Sequence, residues 1–431
     1  MPKDASPGYP TPAKAWTALA VLVGGVLLAF VDRQILSLLV DPIRADLQLT
    51  DTQIGLLQGP AFALFYAAAA LPLGAMVDRH SRRNILVGGV LLWTLATALC
   101  GLAVDFPTLF ACRVGVAVGE ACLIPGVLSY LGDVFSPRRK PYAFAVYMVV
   151  VLVGSSLSIA ASGTLISAVE STGFHLGPVT ESWRIAFLLV AAPGPLVALA
   201  FAALGEPARQ DRSPQGDVQD GLPRQRLITL AWLVPGLALA SVAFQMTLAW
   251  LPTVLVREHG WSGGEAGRVL GLSIAAVSLV VGLAAAVAPG LVKHRHGSLL
   301  AWAALTMLAG APFALLTTSP APFSAVFAAT AAAGSGLLAY SLAPVLTQAL
   351  APNRYWGRTA AAFKLVESVV VAIGAVAIGA GSDAMGAGGL ARMLAGIVGV
   401  SLSLGALCLL VARGRLRRSS AAPSEPALET P

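Results

Sequence analysis

Charge is scarce in this sequence. Only 11% of its 431 residues are Asp, Glu, Lys or Arg, while 57% are apolar. Soluble domains carry about 25% charged residues, so this chain lacks the polar surface that water demands, and lipid is the solvent its composition fits. Histidine is nearly missing: His80, His294 and His296 fall between apolar runs, and His175 and His259 fall on what reads as the outer side. None is placed as an evident proton relay. The four cysteines, Cys100, Cys112, Cys122 and Cys408, lie inside apolar runs with no metal-ligand spacing, which leaves them as small core residues. Basic residues outnumber acidic ones, 28 to 21, but they form short clusters and no stripe with interleaved aromatics. Nucleic acid is therefore not an expected partner. The chain has no H-E-x-x-H, no G-x-S-x-G and no P-loop, so neither an enzyme nor an ATP-driven pump is expected, and no cofactor or metal. The first apolar run lacks a small-residue cleavage site and carries Asp32 and Arg33 in its second half, so it reads as a retained membrane span.

What the sequence does have is long, unbroken apolar runs. A helix needs about 20 mostly apolar residues to cross the hydrocarbon core. Helices and closed barrels alone satisfy every backbone group there. Continuous rather than alternating runs favour helices. Twelve such runs lie at 16–40, 53–77, 84–104, 108–131, 141–167, 183–204, 226–256, 264–288, 298–317, 321–350, 356–381 and 388–412. One long polar segment, 205–225, rich in Pro, Asp and Arg, divides them into six and six. The expected organisation is a six-helix bundle over 1–204, a cytoplasmic linker over 205–225, a second six-helix bundle over 226–413, and a disordered cytoplasmic tail over 414–431.

Most of the 28 Lys and Arg residues fall in the terminal segments, the linker and the loops on one side of the runs. That bias predicts both termini in the cytoplasm. The loop after the second run reads Gly74-Ala75-Met76-Val77-Asp78-Arg79-His80-Ser81-Arg82-Arg83, and the loop after the eighth reads Gly290-Leu291-Val292-Lys293-His294-Arg295-His296-Gly297. The same spaced pattern at the same place in each half marks an internal duplication, as transporters often have.

These residues resemble the major facilitator superfamily. Gly74, Asp78, Arg79, Arg82 and Arg83 match its loop signature G-x-L-x-D-R-x-G-R-(K/R), with Met76 and Ser81 as departures, and Arg113 and Gly119 are similar to its R-x-x-x-G motif, with Ala117 at the first glycine. The Gly-Pro motif of many drug antiporters is replaced by Gly154-Ser155-Ser156. Within the superfamily the first half is similar to the Spinster branch of lysolipid and sphingosine-phosphate transporters. The carrying residues are Asp32-Arg33, Gly55-Leu56-Leu57-Gln58, Gly119-Glu120-Ala121, Gly132-Asp133-Val134-Phe135 and Glu206-Pro207. The resemblance implies an all-α membrane protein with twelve transmembrane helices in two pseudo-symmetric bundles. It further implies alternating access and a monomer surrounded by membrane lipids. Short loops and tails place it in a bacterial inner membrane.

A charge at the bilayer centre costs about 2.5–3.5 kcal/mol on insertion scales, so each one needs a reason. Arg113 and Glu120 are seven apart, nearly two turns, and share a helix face. In the superfamily arrangement they meet Asp32 and Arg33 in one buried cluster of two acids and two bases. One reading has Asp32 or Glu120 exchanging a proton while Arg33 or Arg113 holds an anionic group; the other has the four merely neutralising one another. Asp78, Arg79, Arg82, Arg83 and Asp133 lie at the cytoplasmic edge, where the resemblance implies a latch that closes the two halves. Lys364 and Glu367, three apart, read first as a structural pair and second as cavity lining. Phe30, Phe62, Phe65, Phe144 and Tyr147 should make the rest of the cavity wall apolar, with few amide groups among them. Such a cavity suits a lysophospholipid or a sphingosine-1-phosphate-like amphiphile, coupled to protons. A drug or organic-anion metabolite transporter is the alternative.

Overall fold

The computed structural model describes residues 9–173, 177, 179–209, 224–291, 296–350 and 356–421. Among them are twelve helical stretches long and apolar enough to cross a bilayer. The first six spans are Pro12–Leu38, Asp51–Arg79, Arg82–Cys100, Phe106–Val134, Lys140–Thr172 and Ser182–Ala203. The second six are Gln225–His259, Gly263–Ala284, Gly297–Thr318, Pro322–Thr347, Thr359–Met385 and Gly389–Arg418. Each coincides with one of the twelve apolar runs, and the protein is a multi-pass membrane protein. The loop residues Lys293, His294 and Arg295, the linker from 210 to 223, and the end of the tail from 422 lie outside the described residues.

Local chemistry sets where the spans start. Thr50 caps the second span through a capping box with Gln53, satisfying two amides that the first turn leaves open. Ser81 caps the third by accepting from the Asn84 amide. Asp105 caps the fourth by accepting from the Thr108 amide, with Pro107 in the first turn, where its missing N–H costs nothing.

Among the described residues several spans are broken, and the breaks in the second and fourth bear on the site. The second runs as an α-helix over Asp51–Gln58, turns through Gly59, passes through a π-helical turn over Pro60–Leu64 and resumes over Phe65–Arg79. Pro60 has no N–H to donate to the preceding turn, and the wider turn absorbs the mismatch. The fourth span ends its first helix, Phe106–Glu120, immediately before Ala121 and restarts over Leu123–Val134, where Pro125 sits in the first turn.

Within the first six spans, the first packs on the fifth and the third on the fourth and sixth; within the second six, the seventh packs on the tenth, eleventh and twelfth. The halves meet chiefly where the second span packs on the eleventh, the fifth on the eighth and the first on the seventh. Glycine makes the first two possible. A Cβ on Gly55 would sit 2.6 Å from the Ala375 carbonyl oxygen, and one on Gly163 would sit 2.8 Å from the Gly264 carbonyl oxygen. In lipid, helices gain by such close backbone approach, because burying apolar surface gives little over lipid contact. The leucines that do face outward, among them Leu91, Leu95, Leu196 and Leu199, match the acyl chains around them.

The last helix departs from the expected boundary. It continues through 414 to Ala421, so the first residues of the expected tail are helical. Arg418 lies in its last turn, where positive charge favours the helix dipole, and Leu416 packs against the core.

Candidate functional site

The four intramembrane charges of the first half do meet, and they meet as two crossed pairs. Arg33 Nε donates to Glu120 Oε2 at 2.5 Å, and Arg113 Nη1 stands 3.7 Å from Asp32 Oδ1. Asp32 and Arg33 are neighbours on the first span, so their side chains leave the helix about 100° apart. Asp32 points towards the third span, where the Thr97 hydroxyl donates to it. Arg33 points towards Glu120 at the break in the fourth. A carboxylate at a helix C-terminus faces the negative end of the dipole, and Arg33 offsets that repulsion. Asp32, Arg113 and Glu120 are 1%, 3% and 0% exposed. Such burial holds only for paired charges.

A cavity of about 110 Å³ lies beside the pairs, between the halves. Arg33 and Arg113 line it; Asp32 and Glu120 do not. The bases thus form the wall and the acids stand behind them. Phe62, carried on the π-helical turn, covers both bases, with its ring centre 4.9 Å from the Arg33 guanidinium carbon and 5.4 Å from that of Arg113. These are cation–π distances.

The wall is more polar than the sequence led us to expect. Gln34, Ser37 and Gln58 line it from the first half and Gln245 from the second, while of the five expected aromatics only Phe62 does. Phe30 packs against Arg33 at 5.6 Å. Phe144 and Tyr147 pack into the core. Phe65 is turned outward, 41% exposed, with its ring edge-on to Phe110. Between Phe62 and Phe65 the span changes from the π-helical turn to the α-helix, so regular helical spacing does not relate the two rings. Lys364 Nζ and Glu367 Oε2 pair at 3.0 Å along the eleventh span, and the Gln245 amide donates to Glu367 at 3.4 Å. The Lys364 ammonium also lies 5.9 Å from the centre of the Tyr66 ring in the first half.

At the basic end of the first half, the five expected latch residues separate. Arg82 is fully buried and bonds Asp133, the Glu206 carboxylate at 2.9 Å and the Pro207 carbonyl at 2.7 Å. Asp78 and Arg79 are exposed, and the Arg83 side chain donates to Asn84. Arg82 therefore ties the fourth span and the start of the linker to the loop after the second span, all within the first half. Arg209 strengthens that tie by donating to the carbonyls of Val77, Asp78 and His80 at the end of the second span. Neither Glu206 nor Arg209 was expected in this cluster. Partial burial would raise the Glu206 carboxyl, but the Arg83 amide, the Arg82 guanidinium and the Ser81 hydroxyl all donate to it and hold it below its ordinary value.

A second cluster, at the opposite end, was not foreseen. Asp51 starts the second span; Arg257 ends the seventh and bonds both its oxygens, while Ser382 of the eleventh donates to it at 2.7 Å. Arg257 also bonds Asp41 at 2.6 Å. Asp383 returns the contact by accepting from the Asp51 and Thr52 amides and the Thr52 hydroxyl, at 2.9, 2.8 and 2.6 Å. Every one of these bonds crosses between the halves. The available signal was the single arginine at the end of the seventh run, but its partner 206 positions earlier leaves no local trace.

A family model described as Major Facilitator Superfamily matches residues 22–375. An MFS-type efflux pump of Mycolicibacterium smegmatis is 28% identical over 423 residues, covering 94% of both chains. The cephamycin export protein CmcT of Amycolatopsis lactamdurans is 30% identical over 304 residues, covering 68% of this chain and 55% of the exporter. In fold, the chain is similar to the crystal structure of a bacterial homologue of the human lysosomal transporter Spinster in an inward-facing and unoccupied conformation. That match has a TM-score of 0.80 and 24% identity, and covers 96% of this chain and 100% of the other.

Proposed function

The chain belongs to the Major Facilitator Superfamily, and from that premise we propose that it is a proton-coupled carrier of single-chain amphiphiles with an anionic head, of the lysophospholipid or sphingosine-1-phosphate kind. The observation that carries the reading is the order of groups at the cavity, with Arg33 and Arg113 in front and Glu120 and Asp32 behind. An anionic head reaching the wall competes with the carboxylates for the two guanidinium groups. As an arginine turns to the ligand, the acid behind it loses its counter-charge inside the membrane and takes up a proton. Release of the anion reverses the exchange. Protons and cargo are coupled by competition for the same bases, with no metal or cofactor.

A head group fits the cavity of about 110 Å³, and an acyl chain does not. We assign the chain to a separate, mostly apolar cavity of about 220 Å³ between the tenth and eleventh spans, lined by Tyr340, Ala343, Pro344, Ala360 and Phe363 with Ser341, Thr347 and Thr359. Burying a chain contributes about 0.8 kcal/mol per methylene. The Asp51–Arg257 cluster serves as the outer lock and the Arg82 cluster as half of the inner one. In this reading the structure is the state open to the cytoplasm, in a bacterial plasma membrane with both ends of the chain inside and one chain as the working unit.

A second reading, export of a drug or organic-anion metabolite, is favoured by the likeness to the M. smegmatis efflux pump along nearly the full length of both chains. Reconstituted protein separates the two. Saturable, pH-gradient-dependent flux of a lysolipid, with affinity rising along a chain-length series, supports the first. Tighter binding of a hydrophilic organic anion, with no dependence on chain length, retires it.

A further inference from the structure

Gln58 is the one residue of the cavity wall whose whole polar group is buried and without a partner: neither its Nε2 nor its Oε1 has a hydrogen bond among the described residues. Because both atoms are unpaired, the finding does not depend on which way the amide is turned. Buried amides almost always find partners, and one that does not calls for an explanation. Arg113, 3% exposed, has the same character, with Nε and Nη1 unbonded on the same wall.

The backbone around Gln58 is arranged to hold it there. Gln58 is the last residue of the first helix of the second span. Gly59 then lies so close to the eleventh span that a Cβ on it would sit 3.0 Å from the Ala372 carbonyl oxygen and 2.9 Å from the Ala375 methyl. The π-helical turn that follows swings Phe62 over both arginines. Irregular helical turns of this kind recur at functional sites. Span break, close seam and unpaired amide thus converge on one spot.

We infer that Gln58 reads the cargo's head group, donating from Nε2 to an anionic oxygen that Arg113 also holds and accepting at Oε1 from an N–H or O–H on the same head. This inference rests on the amphiphile reading above and narrows it: the head carries a hydrogen-bond donor close to its phosphate. An arginine alone selects charge. An amide with both halves free selects a donor and an acceptor at fixed spacing, and a site with buried polar groups rejects an analogue that leaves them unpaired. A head with a methylated ammonium carries the same charges but no N–H, so its phosphate still satisfies Arg113 while Oε1 is left bare.

The test is binding of two single-chain phospholipids of equal chain length, one with an ethanolamine and one with a choline head, to purified full-length protein in detergent. Wild type should bind the ethanolamine lipid about tenfold more tightly, the loss expected when one buried acceptor goes unpaired. Gln58→Leu should bind both at the weaker level. Gln58→Glu, of the same size, keeps the acceptor and repels the phosphate, so it should weaken both lipids yet still prefer ethanolamine. Equal binding of the two by wild type overturns the assignment of Gln58 and leaves the amphiphile reading standing; so does a preference that survives Gln58→Leu. Absence of saturable binding of either lipid by wild type overturns both.

Discussion

Arg257 and Asp51 are joined by two parallel bonds, 2.7 and 2.9 Å, between the last turn of the seventh span and the first turn of the second. Fork-to-fork pairing of this kind fixes orientation as well as distance. It holds the two halves together at one end of the molecule. Arg257→Gln should remove it and leave the buried Asp51 with only the Ser382 hydroxyl at 2.7 Å and the more distant Arg44 at 3.4 Å. Losing one partner of a well-formed pair costs about 2–5 kcal/mol. Inter-label distances across that end should lengthen by a shift between two populations. An unchanged distance distribution would remove the lock assignment.

Removal of the acids and removal of the bases should differ. Glu120→Gln leaves Arg33, whose side chain is 24% exposed at the cavity, so the protein should fold and its flux should lose its dependence on a pH gradient. Arg33→Gln leaves Glu120 sealed and uncompensated, a loss of about 3–5 kcal/mol. Melting temperatures should therefore fall much further for Arg33→Gln. If both Glu120→Gln and Asp32→Asn retain the wild-type pH dependence, coupling does not run through this cluster.

Glu206 predicts a pH dependence outside the membrane. Its folded carboxyl titrates below its ordinary value of 4.5. A depressed acid stabilises the fold above the ordinary value, and that contribution fades as pH falls through the folded one. Glu206→Gln should lower the melting temperature at pH 7. The gap from wild type should close as the pH is taken below the ordinary carboxyl value and through the lower folded one. A gap of constant size would mean that the lost stability comes from shape and not from charge.

The fifth and eighth spans offer a steric test. A side chain at Gly163 would collide with the Gly264 carbonyl oxygen and the Gly267 Cα, at 2.8 and 2.9 Å. Gly163→Val should insert normally, yet fail to reach this packing, and flux should stop. Normal flux by this variant would show that the seam is looser than the structure has it.

Topology is open to direct labelling. Cysteines placed at 213, in the linker, and at 420, near the end of the chain, should react only with reagents that reach the cytoplasm. Reaction of either from the outer side would reverse the orientation read from the basic clusters.

The twelve spans were legible because each is a continuous apolar run, and length alone decides whether a helix crosses a bilayer. The charge cluster was legible too: Asp32, Arg33, Arg113 and Glu120 each break such a run and must be compensated, and the resemblance to the superfamily implied that the first and fourth spans bring them together. Which acid takes which base was not, because that depends on the 100° between Asp32 and Arg33 and on the break after Glu120. Nor was the cavity's polarity. Gln34 and Gln245 read in sequence as isolated interruptions and Gln58 as the end of a motif, and only the meeting of the two halves brings them to one wall. The Arg257 cluster was missed for the same reason: its bonds link the two halves of the chain, and periodicity reports only neighbours.

The crossed pairs have an electrical consequence. Two carboxylates and two guanidinium groups sum to zero, and the membrane potential acts on net charge, at about 2.3 kcal/mol per elementary charge per 100 mV. A carrier returning empty with both pairs intact moves no charge through that field. Voltage therefore has no grip on the unloaded half of the cycle, and any current should appear only in the step that carries cargo, with a sign set by the cargo's own charge and the protons that accompany it.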